Sequence, residues 1–231
     1  MARQTKGVTR VNNTDILNHS RLLQLMQEAE SYSLPGQDAQ YRAVPPNRPR
    51  TSLEEARQNP KARSAAVLAL LHPIDNQTHV ALIRRNTYPG VHSGQISFPG
   101  GKVEESDSNL IETAIRETHE EVGVSAESYN IWGELTQVYI PPSQFLVQPV
   151  VGLAEHELQF IREEREVEEI LHAPLTLFTS EDALVMEKLD IGGFKIDVPV
   201  FKWNGHTIWG ATAMMLSELG TLINSISESS R

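Results

Sequence analysis

The stretch GGKVEESDSNLIETAIRETHEEVGV, residues 100–124, decides how this chain is read. Leu110, Ile111, Ala114, Ile115 and Val122 recur at the spacing of one helix face and form a stripe that can lie on a core. Asp107, Ser108 and Asn109 can each cap the start of a helix over 109–121. Gly123 stands just past its end, where a left-handed cap residue belongs. Glu117, Glu120 and Glu121 fall at i, i+3 and i+4, so three carboxylates share one side. Like charges at this spacing cost roughly 0.2–0.5 kcal/mol per pair. Glu120 and Glu121 also lie in the last turn, where the helix dipole disfavours anions by roughly 0.3–1 kcal/mol each. Arg116 relieves part of this and is expected to orient a glutamate. A hard divalent cation would remove the repulsion, and an all-oxygen donor set suits Mg²⁺ or Mn²⁺. The plain alternative is a solvated acidic face, screened by Arg116 and salt.

The residues before the helix weigh against that alternative. In Phe98-Pro99-Gly100-Gly101 the glycines let backbone N–H groups approach an anion. An anion cradle beside a carboxylate metal site is the equipment for phosphoanhydride cleavage. Arg84 and Arg85 end an apolar strand upstream and are expected to reach a substrate phosphate. Phe98 can stack on a substrate group or fill the core, and His92 can reach a substrate or bond the backbone of its loop. His119 is expected to face solvent. Trp203 and Trp209 flank Asn204-Gly205 and are expected to pack across strands.

Working outward, SAAVLALLHP (64–73) and THVALIRR (78–85) read as strands joined by a turn at IDNQ, with a long loop over 88–105. NIWGELTQVYI (130–140) and FLVQPVVGL (145–153) read as strands, and EREVEEILHA (164–173) as a short helix. VPVFKWNGHTIW (198–209) reads as a hairpin around a type I′ turn, and ATAMMLSELGTLINSI (211–226) as a closing helix. Residues 14–30 have helical spacing, and the proline-bearing segment 31–60 is expected to run extended over the main domain. Strands mixed with helices in this order imply an α/β (α+β) layered domain.

The absence of cysteine removes disulfides and thiolate metal sites. A net charge of −10 argues against nucleic acid as a partner, which needs a basic footprint. A small polyphosphate remains compatible, because bound metal reverses the local sign. There is no apolar run long enough to span a membrane, and MARQTKGVTR has no secretory core, so a cytoplasmic location is expected.

Arg116-Glu117-Thr118-His119-Glu120-Glu121-Val122-Gly123-Val124 resembles the second half of the Nudix hydrolase signature, Arg-Glu-apolar-x-Glu-Glu-x-Gly-apolar. Gly101 matches its leading glycine with a spacer one residue longer. Asp107, or Ser108 counted back from Arg116, stands for the acidic residue of the spacer, and Thr118 replaces an apolar residue. Residues 92–123 are similar to the branch that contains coenzyme A diphosphatases, where FPGG, a following aspartate and the longer spacer recur together. QPVVG, EREVEEILHAPL and IWGATA look like later segments of that branch, so the likeness covers roughly 62–218. The branch carries Arg-Ser, three residues, Arg, three residues, then Gly before FPGG. Arg85 and Gly94 match; Asn86 replaces the serine and Gly90 the second arginine, whose phosphate contact Arg84 is placed to supply.

The resemblance implies a Nudix-type α/β/α sandwich with a mixed β-sheet over 62–231, with residues 1–61 forming an N-terminal helix and an extended segment packed on it. It implies Mg²⁺ or Mn²⁺ on Glu117, Glu120 and Glu121. Glu120 is the first candidate for general base, Glu164 and Glu166 are others, and Arg116 is an orienting residue. Arg84, Arg85, Gly94, Phe98, Gly100 and Gly101 are the implied substrate contacts. The implied reaction cleaves coenzyme A or its thioesters to 3′,5′-ADP and 4′-phosphopantetheine. Another nucleoside diphosphate derivative such as ADP-ribose, a nucleotide-sensing module without catalysis, and a metal-independent interaction protein are the competing readings. Family members often form homodimers, and that assembly is carried over as an expectation.

Overall fold

The computed structural model describes residues 18–29, 32–87, 94–180 and 182–229. The chain begins with three helices, α1 (His19–Glu28), α2 (Gly36–Tyr41) and α3 (Leu53–Gln58). Next come β1 (Arg63–Ile74), β2 (Gln77–Arg85), β3 (Ile96–Ser97), β4 (Gly100–Lys102) and α4 (Leu110–Val122). After these come β5 (Asn130–Glu134), β6 (Val138–Ile140), β7 (Phe145–Leu153), β8 (Val167–Pro174) and α5 (Thr176–Thr179). The last elements are β9 (Leu184–Ile191), β10 (Phe194–Trp203), β11 (His206–Ile208) and α6 (Gly210–Ser229).

An eight-stranded sheet organises the fold, with β3-β2-β1-β7-β5 as its main path. β1 and β7 run parallel from Arg63↔Phe145 to Leu71↔Leu153, while β2, β4, β5, β6 and β8 join antiparallel, so the sheet is mixed. Asp75 and Asn76 close the β1–β2 hairpin at φ 49° and 59°, the left-handed pair that a two-residue turn demands. Alternate residues of β1 serve two cores. Ala66, Leu68 and Leu70 pack with Ala114 and Val122 of α4. Ala65, Ala69 and Leu71 pack on the other face with Leu216, Leu219 and Ile223 of α6, where Leu22, Leu25 and Met26 of α1 also lie. Helices therefore cover both faces, and the architecture is an α/β/α sandwich. Among the described residues no helix is long and apolar enough to cross a membrane.

Several local expectations change. Residues 164–173 hold no helix beyond a turn: Val167–Pro174 is a strand paired with β2 from Arg85 back to His79. Val167, Ile170 and Leu171 also satisfy helical spacing, but the open backbone groups of β2 need partners, and that requirement overrides local pattern. NIWGELTQVYI divides into two strands at Leu135–Gln137, and LVMEKLDI forms an unforeseen strand against β10. The segment 31–60 is not uniformly extended. It contains α2 and α3, the latter opened by a capping box in which Ser52 and Glu55 bond each other's backbone N–H. The hairpin at Asn204-Gly205 forms with φ 47° and 81°. Part of the 14–30 helix, the residues before Asn18, falls outside the described residues.

Glu218 of α6 is fully buried and accepts N–H bonds from Gly36 (3.1 Å), Gln40 Nε2 (2.7 Å) and Thr136 (3.2 Å). It joins α2 and the β5–β6 connection to the closing helix. Glu218→Ala strands these donors in a dry site and is expected to cost about 3 kcal/mol. Urea unfolding reads this as a lower midpoint at unchanged slope. An unchanged midpoint would mean that the donors find other acceptors.

Candidate active site

Helix α4 begins as its sequence requires. Asn109 Oδ1 accepts the Glu112 N–H at 2.9 Å, so Asn109 is the cap among the three candidates. Gly123 ends the helix at φ 69°, donating its N–H to His119 O at 2.9 Å. With the apolar stripe on the sheet, the glutamates separate by depth. Glu121 is 1% exposed and Glu117 13%, while Glu120 is 56% exposed at the outer rim.

Asp107 is free to do something other than cap. Its carboxylate takes Arg116 Nε and Nη2 at 2.9 Å each, together with the Thr113 hydroxyl at 2.9 Å and the Glu104 N–H at 2.9 Å. This two-pronged contact holds the Asp107 carboxyl well below its ordinary range. Arg116 Nη2 also donates to Lys102 O at 3.1 Å. Its Nη1 lies 3.1 Å from Glu117 Oε1 and 3.0 Å from Glu120 Oε2. Arg116 thus ties the glycine loop, the spacer and two glutamates together.

The glycines make room for carboxylates. Strand β4 lies so close to β1 that a Cβ on Gly100 would come within 2.4 Å of Ala66 O, and φ 151° there disfavours any side chain. A Cβ on Gly101 would come within 2.3 Å of Glu117 Oε1. The Gly100 N–H, expected to face a bound anion, is given instead to Glu121 Oε2 at 2.8 Å. Arg85 Nη1 stands 3.4 Å from Glu121 Oε1, which is buried and has no hydrogen-bond partner. Burial pushes the Glu121 carboxyl up to about 7, against the counter-pull of Arg85 and the Gly100 N–H. Burial raises Glu117 as well, and Glu166 lies near enough for its charge to raise both.

A hard cation suits this chemistry. The available donors are carboxylate oxygens, one is a buried oxygen lacking a hydrogen bond, and Gly101 leaves Glu117 its space. Among the described residues no three Asp, Glu or His side chains converge as they stand on one point. Arg116 Nη1 lies between Glu117 and Glu120, so those two carboxylates could share an ion only if the exposed Glu120 turned away from it.

The structure brings Arg85, Gly100, Gly101, Arg116, Glu117, Glu120 and Glu121 together, with Glu166 close by. It separates two others. Phe98 is fully buried in the α6-side core, so it packs rather than stacking on a substrate. Arg84 turns outward to Glu168 (3.2 Å) and Glu169 (3.1 Å), side chains supplied by the strand misread as a helix. Gly94 sits in the approaching loop at φ 66°, its N–H directed to Asn86 O at 3.4 Å. Glu164 is exposed and pairs with Arg162. Gly90 and His92 fall outside the described residues. Sequence reading missed the partnership of Asp107 with Arg116; the aspartate inside the spacer was the available signal.

The raised Glu121 and Glu117 pKa values have a stability consequence in metal-free protein. A carboxyl with a folded pKa above its unfolded value favours the fold fully below about 4.5, and this contribution is lost as pH rises towards 7. Buried His19 and His72 and partly buried His172 have lowered pKa values and act in the opposite sense over an overlapping range. The diagnostic quantity is therefore the difference between wild type and Glu121→Gln in chelator. Wild type is expected to lose up to about 3 kcal/mol relative to the variant between pH 4.5 and 7.5. A constant difference across that range would refute the burial argument.

The comparisons with known proteins agree with this geometry. A family model described as the NUDIX domain matches residues 62–189. The chain is 32% identical over 163 residues to the mitochondrial coenzyme A diphosphatase NUDT8 of Homo sapiens, covering 69% of each protein. It is 36% identical over 148 residues to the Nudix hydrolase NudL of Yersinia enterocolitica, covering 62% of this chain and 73% of that one. It is 31% identical over 175 residues to Nudix hydrolase 3 of Caenorhabditis elegans, covering 69% and 72%. With a family model spanning more than half of its length and relatives of this identity and coverage, the chain belongs to the Nudix family and is a Nudix hydrolase.

Proposed function

We propose that this protein cleaves the phosphoanhydride bond of coenzyme A and its thioesters, giving 3′,5′-ADP and 4′-phosphopantetheine, with Mg²⁺ or Mn²⁺ held by Glu117, Glu120 and Glu121. The observation that carries the catalytic part is the pair of sheltered carboxylates, Glu117 and Glu121, gathered at the Gly100-Gly101 loop with one oxygen lacking a hydrogen bond. The choice of coenzyme A is supported by the human relative's name and by the FPGG and long-spacer pattern of residues 98–116.

When bound, the cation supplies Lewis-acid polarisation of the diphosphate and acidifies water. The protein's own groups do the rest. Water attacks phosphorus in line, its proton passes to a carboxylate, and the anhydride P–O bond breaks with its electron pair leaving on the departing phosphate. Glu120, at the open rim of the helix, is the first candidate for proton acceptor and Glu166 the second. Arg116, fixed by Asp107, orients Glu117 and Glu120, and Arg85 places positive charge beside the buried carboxylate.

Product analysis by chromatography tests the reading, with coenzyme A, ADP-ribose and a dinucleoside polyphosphate offered separately with each metal. Wild type is expected to give the two coenzyme A fragments, and Glu120→Gln to lose at least about 100-fold in kcat. Cleavage of only another substrate would retain the hydrolase and discard coenzyme A. Tight nucleotide binding without cleavage would favour a sensor.

Gly101→Ala tests the metal site apart from turnover. The atoms nearest its Cβ are those of the Glu117 carboxylate, the far end of a side chain rather than backbone, so folding should persist. Mn²⁺ affinity is expected to fall about 10-fold, as read by titration calorimetry in the absence of nucleotide. Unchanged affinity would take Glu117 out of the ligand set.

A further inference from the structure

Glu166 is carried by a loop, and a loop carboxylate serves a site only if its supports are rigid. The 161–167 backbone is tied at two ends. Ile161 and Glu163 donate their N–H groups to Val122 O at 2.8 Å and Glu121 O at 3.0 Å, so this loop satisfies the last carbonyls of α4. The approach is close enough that a Cβ on Gly123 would come within 2.7 Å of Ile161 Cβ. At the other end stands Asn86, immediately after Arg85. Its backbone N–H donates to Glu166 O at 2.9 Å, and its side-chain Nδ2 donates to Glu164 O at 2.9 Å. Between these anchors the chain makes one tight turn, with the Val167 N–H on Glu163 O at 2.9 Å, braced by Arg162 Nη1 on Val167 O at 3.2 Å.

We propose that Asn86 is a positioning residue: through its amide on Glu164 O it holds the 161–167 turn so that Glu166 faces Glu117 and Glu121 during phosphoanhydride cleavage. The inference rests on the hydrolase reading above. The backbone bond from residue 86 survives most substitutions, but the side-chain bond needs a donor of this length. A serine ends one bond earlier and leaves Glu164 O without this partner. The bond from the Glu163 N–H to Glu121 O, and the seat of Asn86 next to Arg85, whose guanidinium reaches Glu121, bring the Glu166 turn to the glutamate end of α4.

Two measurements on the full chain test the role. The first uses no substrate: peptide-resolved hydrogen exchange in chelator, comparing wild type with Asn86→Ala. Amides of 161–167 are expected to exchange about 10-fold faster, with 110–120 unchanged. The second is steady-state kinetics with coenzyme A and Mg²⁺, and with ADP-ribose in parallel. Asn86→Ala is expected to lower kcat about 10-fold with KM held within about 2-fold, and Asn86→Gln, which keeps an amide, to recover part of the loss. In a Glu166→Gln background the same Asn86→Ala change should cost less than about 2-fold, because the group it positions is already disabled. Unchanged exchange, faster exchange with unchanged kcat, or the full kcat loss in the Glu166→Gln background would each overturn the proposal. If wild type leaves coenzyme A intact, the substrate assignment fails by itself, while exchange and the ADP-ribose arm still decide the role of Asn86.

Discussion

Two carboxylates withdrawn from water at the C-terminal end of one helix impose the constraint around which this molecule is arranged. Glu117 and Glu121 are sheltered between α4 and the β4 loop, close enough for Glu117 to raise the pKa of Glu121, and the helix dipole opposes Glu121 as well. Polar groups from three stretches of chain answer them. Arg116 lies along Glu117, Arg85 approaches Glu121, and the Gly100 N–H points at Glu121 Oε2. Even so, Glu121 Oε1 keeps no hydrogen bond. A fold that retains such a group holds a standing electrostatic cost at one place, a common property of sites where charge is to be handled.

The supports of this arrangement come from three separated stretches of chain. Strand β4 presses its glycines against β1, where Ala66 and Val67 leave no room for a side chain at position 100. The spacer returns through Asp107 to clamp Arg116 from the side. The 161–163 segment then covers the last carbonyls of the helix, closing its C-terminal end with backbone rather than with a basic side chain. Glu117 and Glu121 are consequently held from three directions, while Glu120 is the most open of the three to solvent.

Legibility followed the range of the forces involved. Helix α4, its glycine stop and its acidic face could be read because periodicity, caps and dipole act within a few residues. The two type I′ turns, Asp75-Asn76 and Asn204-Gly205, were equally local. Val167–Pro174 could not be read, since its pattern allows helix or strand and only the unpaired edge of β2 decides between them. Phe98 was ambiguous for a related reason: an aromatic beside a glycine loop can turn inward or outward, and here it joins the buried cluster that also holds Ile96 and Leu216.

The sequence by itself determined the chemistry: three glutamates at helical spacing, an arginine among them, and glycines where the backbone must approach closely. Those features depend on residue type and short-range geometry, which one-dimensional order preserves. Tertiary structure alone decided the division of labour. It buried Glu121 and left Glu120 in water, sent Arg84 to Glu168 and Glu169 while turning Arg85 to the site, and gave Arg116 to Asp107. Neighbours in sequence took opposite roles because a strand alternates its faces and a helix turns its residues through different depths. Which face is dry depends on what packs there from far along the chain.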